Sequence, residues 1–151
     1  MATIQEVCER WANLNIDDII DKSLKDSEQD IITAQIDQMT FGLNADGGHI
    51  GQYTPTKMGA LSAYAIEKYA QNPLAGEGNV DLIHEGDFVG GLTLEYNQDN
   101  VRPFSTDPKN DDLINRYGAN TFGLNTQMLS ELNQTAILPN LQNNLREAVG
   151  L

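Results

Sequence analysis

The chain has 151 residues, 40% of them hydrophobic, and sets 22 acidic against 9 basic side chains for a net charge of −13. At this length a single domain can bury most of the surface its unfolded form exposes, and the apolar share with its periodic segments argues against a chain disordered throughout. So few cations cannot form a large phosphate-neutralising groove, which argues against sequence-specific nucleic-acid binding.

Met1 to Arg10 is an acidic periodic segment with no signal-peptide run, and no stretch reaches the roughly 18 apolar residues that span a bilayer. The expectation is a protein made and kept in a cytoplasm, or assembled from one, with no membrane partner. Thr3 and Glu6 have the spacing of a capping box, and Ile4, Val7, Cys8 and Trp11 follow at helical period. On that stripe Cys8, the sole cysteine, is expected to be a small buried hydrophobe. Ile16, Ile19, Ile20 and Leu24 mark a second helix. The polar run Lys25 to Gln29 interrupts it, and Ser27 with Asp30 offers a new start for a third helix carrying Ile32, Ile36 and Met39.

Residues 1–40 thus read as an N-terminal helical segment. Residues 41–151 read as an α+β core with a loop-rich middle and a C-terminal helix, the whole forming one domain. From Phe41 to Leu92 glycines punctuate the chain, and one helix is expected from Lys57 to Gln71, with Leu61, Tyr64, Ala65 and Lys68 on successive turns. It should stop at Asn72-Pro73, because a residue before proline disfavours the helical region. Leu92, Leu94 and Tyr96 alternate with polar residues, Asn97 to Asn100 carries turn chemistry, and Val101 to Ser105 resumes an extended pattern, predicting a β-hairpin. Pro103 cannot donate to a ladder, so its strand belongs at an edge. A helix through Leu113, Ile114 and Tyr117 should end at Gly118. The last segment is amphipathic through Met128, Leu132, Leu141, Leu145 and Val149, and Pro139 must kink it or open a second helix. The fold class is therefore α+β: N-terminal helices, a small antiparallel hairpin packed against helices, and an amphipathic C-terminal helix.

Thr40-Phe41-Gly42-Leu43-Asn44 recurs letter for letter as Thr121-Phe122-Gly123-Leu124-Asn125. The simpler expectation is a shared local solution, with Phe and Leu flanking a glycine turn and tucked into the core beside a helix end. The functional one is that both copies dock into equivalent pockets on a symmetric partner. Trp11, Phe41, Leu43, Phe122 and Leu124 are the candidate partner-binding residues. For each, a place in the core is the first expectation and a place at an interface the second.

Little in the sequence points to catalysis. His49 and His84 are the only histidines, and no metal-spaced cluster or triad is present. His84-Glu85-Gly86-Asp87 comes nearest to a site, but it lacks a third ligand or orienting partner at a diagnostic spacing and reads as a solvated turn. Asn44 to Gly51 lacks the alternating ligands and closing glutamate of a calcium loop, and Gly47-Gly48 with Gly51 lacks the context of a phosphate loop. No catalytic, cofactor-binding or metal-binding residue is expected.

Phe41-Gly42-Leu43-Asn44-Ala45-Asp46-Gly47 followed by Ile50-Gly51-Gln52-Tyr53 resembles an F/L-G-x-D-x-x-G-x-x-I-G-x-Y segment of small neck and tail-completion proteins from phages and prophages of Bacteroidetes. The resemblance continues in order through Asn72-Pro73-Leu74-Ala75-Gly76, Val80-Asp81-Leu82, Gly86-Asp87-Phe88, Phe104-Ser105-Thr106-Asp107, Leu113 to Gly118 and Phe122-Gly123-Leu124. It spans residues 38 to 125 and leaves the N-terminal helices unmatched. Leu82 to Leu94 is also similar to a pattern of the broader virion-morphogenesis group, with Glu85 where Thr is usual and Gly91 where Ser is usual.

The resemblance implies a non-enzymatic structural protein of a tailed-phage virion, made in the bacterial host cytoplasm. It implies helices on a small antiparallel sheet, a homo-oligomeric ring at the head–tail junction or tail end, and portal, connector or tail subunits as partners. Acidic surfaces lining a DNA conduit would repel phosphate. The alternative is an acidic cytoplasmic adaptor or inhibitor that mimics nucleic acid against a basic protein. A metal-dependent hydrolase acting through His84, Glu85 and Asp87 ranks last.

Overall fold

A computed structural model of the chain describes residues 1–83, 86–97 and 100–151. It is α+β, helices accompanied by a two-stranded antiparallel sheet, with a C-terminal helix as expected. The chain divides into two compact units, Met1–Ile31 with Ser130–Leu151, and Ile32–Leu129. The change of texture at residue 41 therefore marks where loops begin rather than where one packed unit ends.

In the first unit, α1 (Ile4–Ala12) opens on the expected capping box: Thr3 Oγ1 accepts from the Glu6 amide at 3.2 Å, and the Glu6 carboxylate accepts from the Thr3 amide at 2.7 Å. α2 (Ile16–Asp26) is capped by Asn15 and ends before Ser27, and α3 (Glu28–Thr40) starts directly after it. The break falls where the polar run placed it. Ser27, however, sends its hydroxyl back to the Ser23 carbonyl at 2.8 Å instead of capping α3. The end of α7 (Thr126–Leu132) leads through a π-helical segment, Asn133–Ile137, into α8 (Leu138–Val149). Pro139 stands in the first turn of α8, directly after the π-helical segment, and the helical run passes through it without a break.

α2 packs on α8 along a polar seam. Buried Asn144 donates from Nδ2 to Ser23 Oγ at 3.0 Å and to Asp26 Oδ2 at 2.9 Å, and Asn140 donates to Ser27 Oγ at 2.8 Å. One expectation is corrected here: α1 buries none of its residues, and Cys8 is exposed. A helical period identifies an apolar face but does not say that the same chain covers it.

The second unit is built around Met39, Ile50, Val80, Phe88, Leu92 and Phe122, with Ile32 and Ile36 of α3 packed against them. α4 (Ala63–Gln71) begins six residues later than the Lys57 start read from the sequence. Thr56 to Ala60 closes a turn through its own amides, and the Ser62 hydroxyl caps the helix by accepting from the Ala65 amide at 3.2 Å. The stop at Asn72-Pro73 is as expected. After α5 (Asp87–Gly90) the hairpin forms as read: β1 (Leu92–Tyr96) pairs with β2 (Val101–Ser105) from Leu92 opposite Ser105 to Tyr96 opposite Val101, with Pro103 opposite Leu94. Within its turn, Gln98 and Asp99 lie outside the described residues. The Ser105 hydroxyl donates to the Phe88 carbonyl at 2.7 Å and ties the sheet to α5. α6 (Asn110–Tyr117) ends at Gly118, whose φ of 97° few side chains tolerate.

Candidate functional site

The two identical pentapeptides occupy opposite ends of helices. The first follows α3 and the second precedes α7, and α3 reaches both through its glutamines. Gln38 Nε2 donates to the carbonyls of Leu43 (3.4 Å) and Gly123 (2.8 Å), and Gln38 Oε1 accepts from the Asn125 amide at 2.7 Å. Gln35 Oε1 accepts from the Gly123 amide at 2.9 Å. Gly42 and Gly123 both have positive φ, 67° and 104°. The shared letters give a positive-φ glycine in both copies but not one shared solution. The Gly42 amide donates to the Met39 carbonyl and the Gly123 amide to Gln35. Phe41 is exposed where a core place was expected while Phe122 is buried, and the two asparagines do different things. Asn44 braces its own loop by accepting from the Asp46 and Gly48 amides, and Asn125 caps α7 by accepting from the Met128 amide.

The five candidate docking residues fall into three groups. Phe122 is 5% exposed and stacks on Phe88 with centroids 5.9 Å apart. Leu43 and Leu124 are half-buried. Phe41 (47% exposed) and Trp11 (49%) lie at the surface. Trp11 belongs to the first unit and the other four to the second. With Trp11 go Ile4, 85% exposed, and Cys8, so most of the α1 stripe faces outward. On α2, Ile16 and Ile20, one turn apart, are also exposed.

The second unit holds a charged knot that the sequence reading did not pick out. Lys68 and Asp81, with side chains 4% and 2% exposed, pair at 2.9 Å. Every part of the knot is satisfied: Lys68 also donates to the Ile83 carbonyl, Asp81 Oδ1 accepts from the Ile83 amide at 3.0 Å, and Asp81 Oδ2 accepts from Asn72 Nδ2 at 2.9 Å. Leu82, between these partners, has φ of 58°, a strained conformation for a leucine. The sequence signal was a single acid inside the apolar run Val80 to Ile83, facing a lysine on the inner stripe of α4.

Above the knot opens a cleft of about 300 Å³, walled by Tyr53, Tyr64, Phe88, Leu113 and Tyr117, with Asp87, Lys109 and Arg116 also among its lining residues. Tyr53 and Tyr64 meet edge to face at 5.2 Å. Burial, reinforced by the Asp81 carboxylate, pushes the Tyr53 phenol well above its ordinary range. Gly51 lies flat on the Tyr117 ring, so that a Cβ there would sit 2.6 Å from Cδ1; this is a physical reason for glycine before Gln52-Tyr53.

Of the residues weighed for chemistry, His49 is exposed, Asp87 opens α5, and His84 and Glu85 lie outside the described residues. Among the described residues no group of three or more His, Cys, Asp and Glu side chains gathers as a metal site would require, and no helix is long and apolar enough to cross a membrane. Comparison with protein-family models, with curated proteins and with solved structures finds no match to the chain.

Proposed function

We propose that the chain is a non-enzymatic structural subunit of a tailed bacteriophage particle, part of the head–tail connector, neck or tail-completion assembly, working as a homo-oligomeric ring that docks to portal, connector or tail proteins. The observation that carries the docking role is α1: a well-capped helix whose apolar stripe, Ile4 and Trp11 with Cys8 between them, is left outside the fold. Exposed large apolar side chains aligned on one helix are costly in water and are covered when a partner is engaged. The two-stranded sheet, in which each strand keeps one unpaired edge among the described residues, adds backbone capable of accepting another chain. The virion setting rests on the ordered resemblance between residues 38 and 125. Mass spectrometry of gradient-purified particles tests this function: the chain should be present at a fixed ratio to the portal subunit, and its absence from the particles would sink the reading.

A further inference from the structure

We infer that the cleft above the Lys68–Asp81 knot is a binding site for a carboxylate carried on a ring-bearing apolar body, a role separate from docking through α1. Three features of the cleft lead there. Its volume of about 300 Å³ lies at the lower end for small-ligand sites and suits a single ring with a short tail. Its walls are tyrosine faces and edges, which hold an aromatic ring in offset or edge-to-face contact, as Tyr53 and Tyr64 already hold each other.

The third feature is charge. The chain is −13 overall, yet the cleft lining sets three cations against two carboxylates. Lys68 and Asp81, both in that lining, neutralise each other. Lys109 and Arg116 remain, making no ion pair among the described residues. Lys109, the N-cap of α6, and Arg116, in its last turn, are seven residues apart with Leu113 between them, roughly 10 Å apart along the axis. A guanidinium in the lining of an apolar cleft, as Arg116 is, is suited to a carboxylate, which it grips with two parallel hydrogen bonds. Asp87, also in the lining, disfavours a dianion such as a phosphate monoester, and the two unpaired cations disfavour a cationic ligand.

The test is amide NMR of the full chain titrated with 3-phenylpropionate and with its neutral isostere 3-phenylpropanamide. The carboxylate should shift the Tyr53, Leu113, Arg116 and Tyr117 amides saturably with Kd of about 1 mM or below, as its size allows. The amide, and the carboxylate on Arg116→Gln, should each bind about tenfold more weakly, the loss of one charge-assisted contact. A short peptide ending in phenylalanine separates the two sources of this chemistry. Tighter binding than 3-phenylpropionate assigns the site to a polypeptide C-terminus, and weaker binding assigns it to a free small carboxylate. Absence of saturable shifts with both carboxylates, equal binding of acid and amide, or wild-type affinity in Arg116→Gln would overturn the inference.

Discussion

Lys68→Met is the sharpest test of how the second unit is held together. The substitution keeps much of the side chain's length and apolar stem, and it leaves the Asp81 carboxylate, 2% exposed, without its countercharge. Removing one partner of a buried pair costs about 3–5 kcal/mol, because the remaining charge stays desolvated. Here the Ile83 amide and Asn72 Nδ2 still donate to Asp81, at 3.0 and 2.9 Å. The cost should therefore fall near the lower end, about 3 kcal/mol. An exposed pair such as Lys22–Asp26, with side chains 57% and 43% exposed, should by contrast contribute far less, because water screens it. Urea unfolding followed by far-UV circular dichroism measures both, provided the slope is unchanged. Adding Asp81→Asn to Lys68→Met should recover part of the loss, since both charges are then gone. A cost below about 1 kcal/mol for Lys68→Met, or strictly additive effects in the double variant, would refute the reasoning.

Asn144→Ala should destabilise the chain by about 2 kcal/mol in the same assay, because it strips a buried hydrogen bond from Ser23. It should also raise the Asp26 pKa: the Asn144 hydrogen bond, with Lys22 second, holds that carboxyl below its ordinary value. A depressed carboxyl stabilises the fold above its unfolded pKa and loses that contribution as pH falls through the folded value, so the variant, with less depression, should lose less stability from Asp26 on acidification. NMR titration of the Asp26 side chain checks it. Gly42→Ala places a side chain at φ of 67° with its Cβ 2.9 Å from the Val80 carbonyl oxygen, and thermal unfolding should show a loss of about 2 kcal/mol or more. Tyr53 is neutral in the fold with its pKa raised by burial; its contribution is complete below the ordinary phenol value of 10.0 and is lost as pH rises toward the folded one. Ultraviolet titration should show one of the five tyrosines ionising last.

Local signals were legible wherever a few neighbouring residues decide the outcome. Thr3 with Glu6, the break at Ser27, Asn72-Pro73, Gly118 and the hairpin alternation all act through hydrogen bonds or sterics within a turn or two. The late start of α4 follows from the turn Thr56 to Ala60, where Gly59, a poor helix former, takes φ of 79°; the helical period from Leu61 onward masked that signal. Burial was the harder question. Cys8 and Trp11 share a stripe with Ile4, and period alone cannot distinguish a face covered by α8 from one left open. The identical pentapeptides show the same limit: Phe122 is buried against Phe88 and Phe41 is not, because the surroundings of each copy decide it. The Lys68–Asp81 pair joins residues thirteen apart in sequence through loops with no regular period, so its only trace was a charge in an apolar run.

The central claim, that a partner covers the α1 stripe in an assembled particle, can be read directly at Cys8, the only cysteine of the chain and part of that stripe. Maleimide labelling should modify Cys8 readily in the isolated folded chain and at least about tenfold more slowly in intact particles that contain it, as burial at an interface denies the thiol to reagent. Equal labelling rates in the two states would contradict the account.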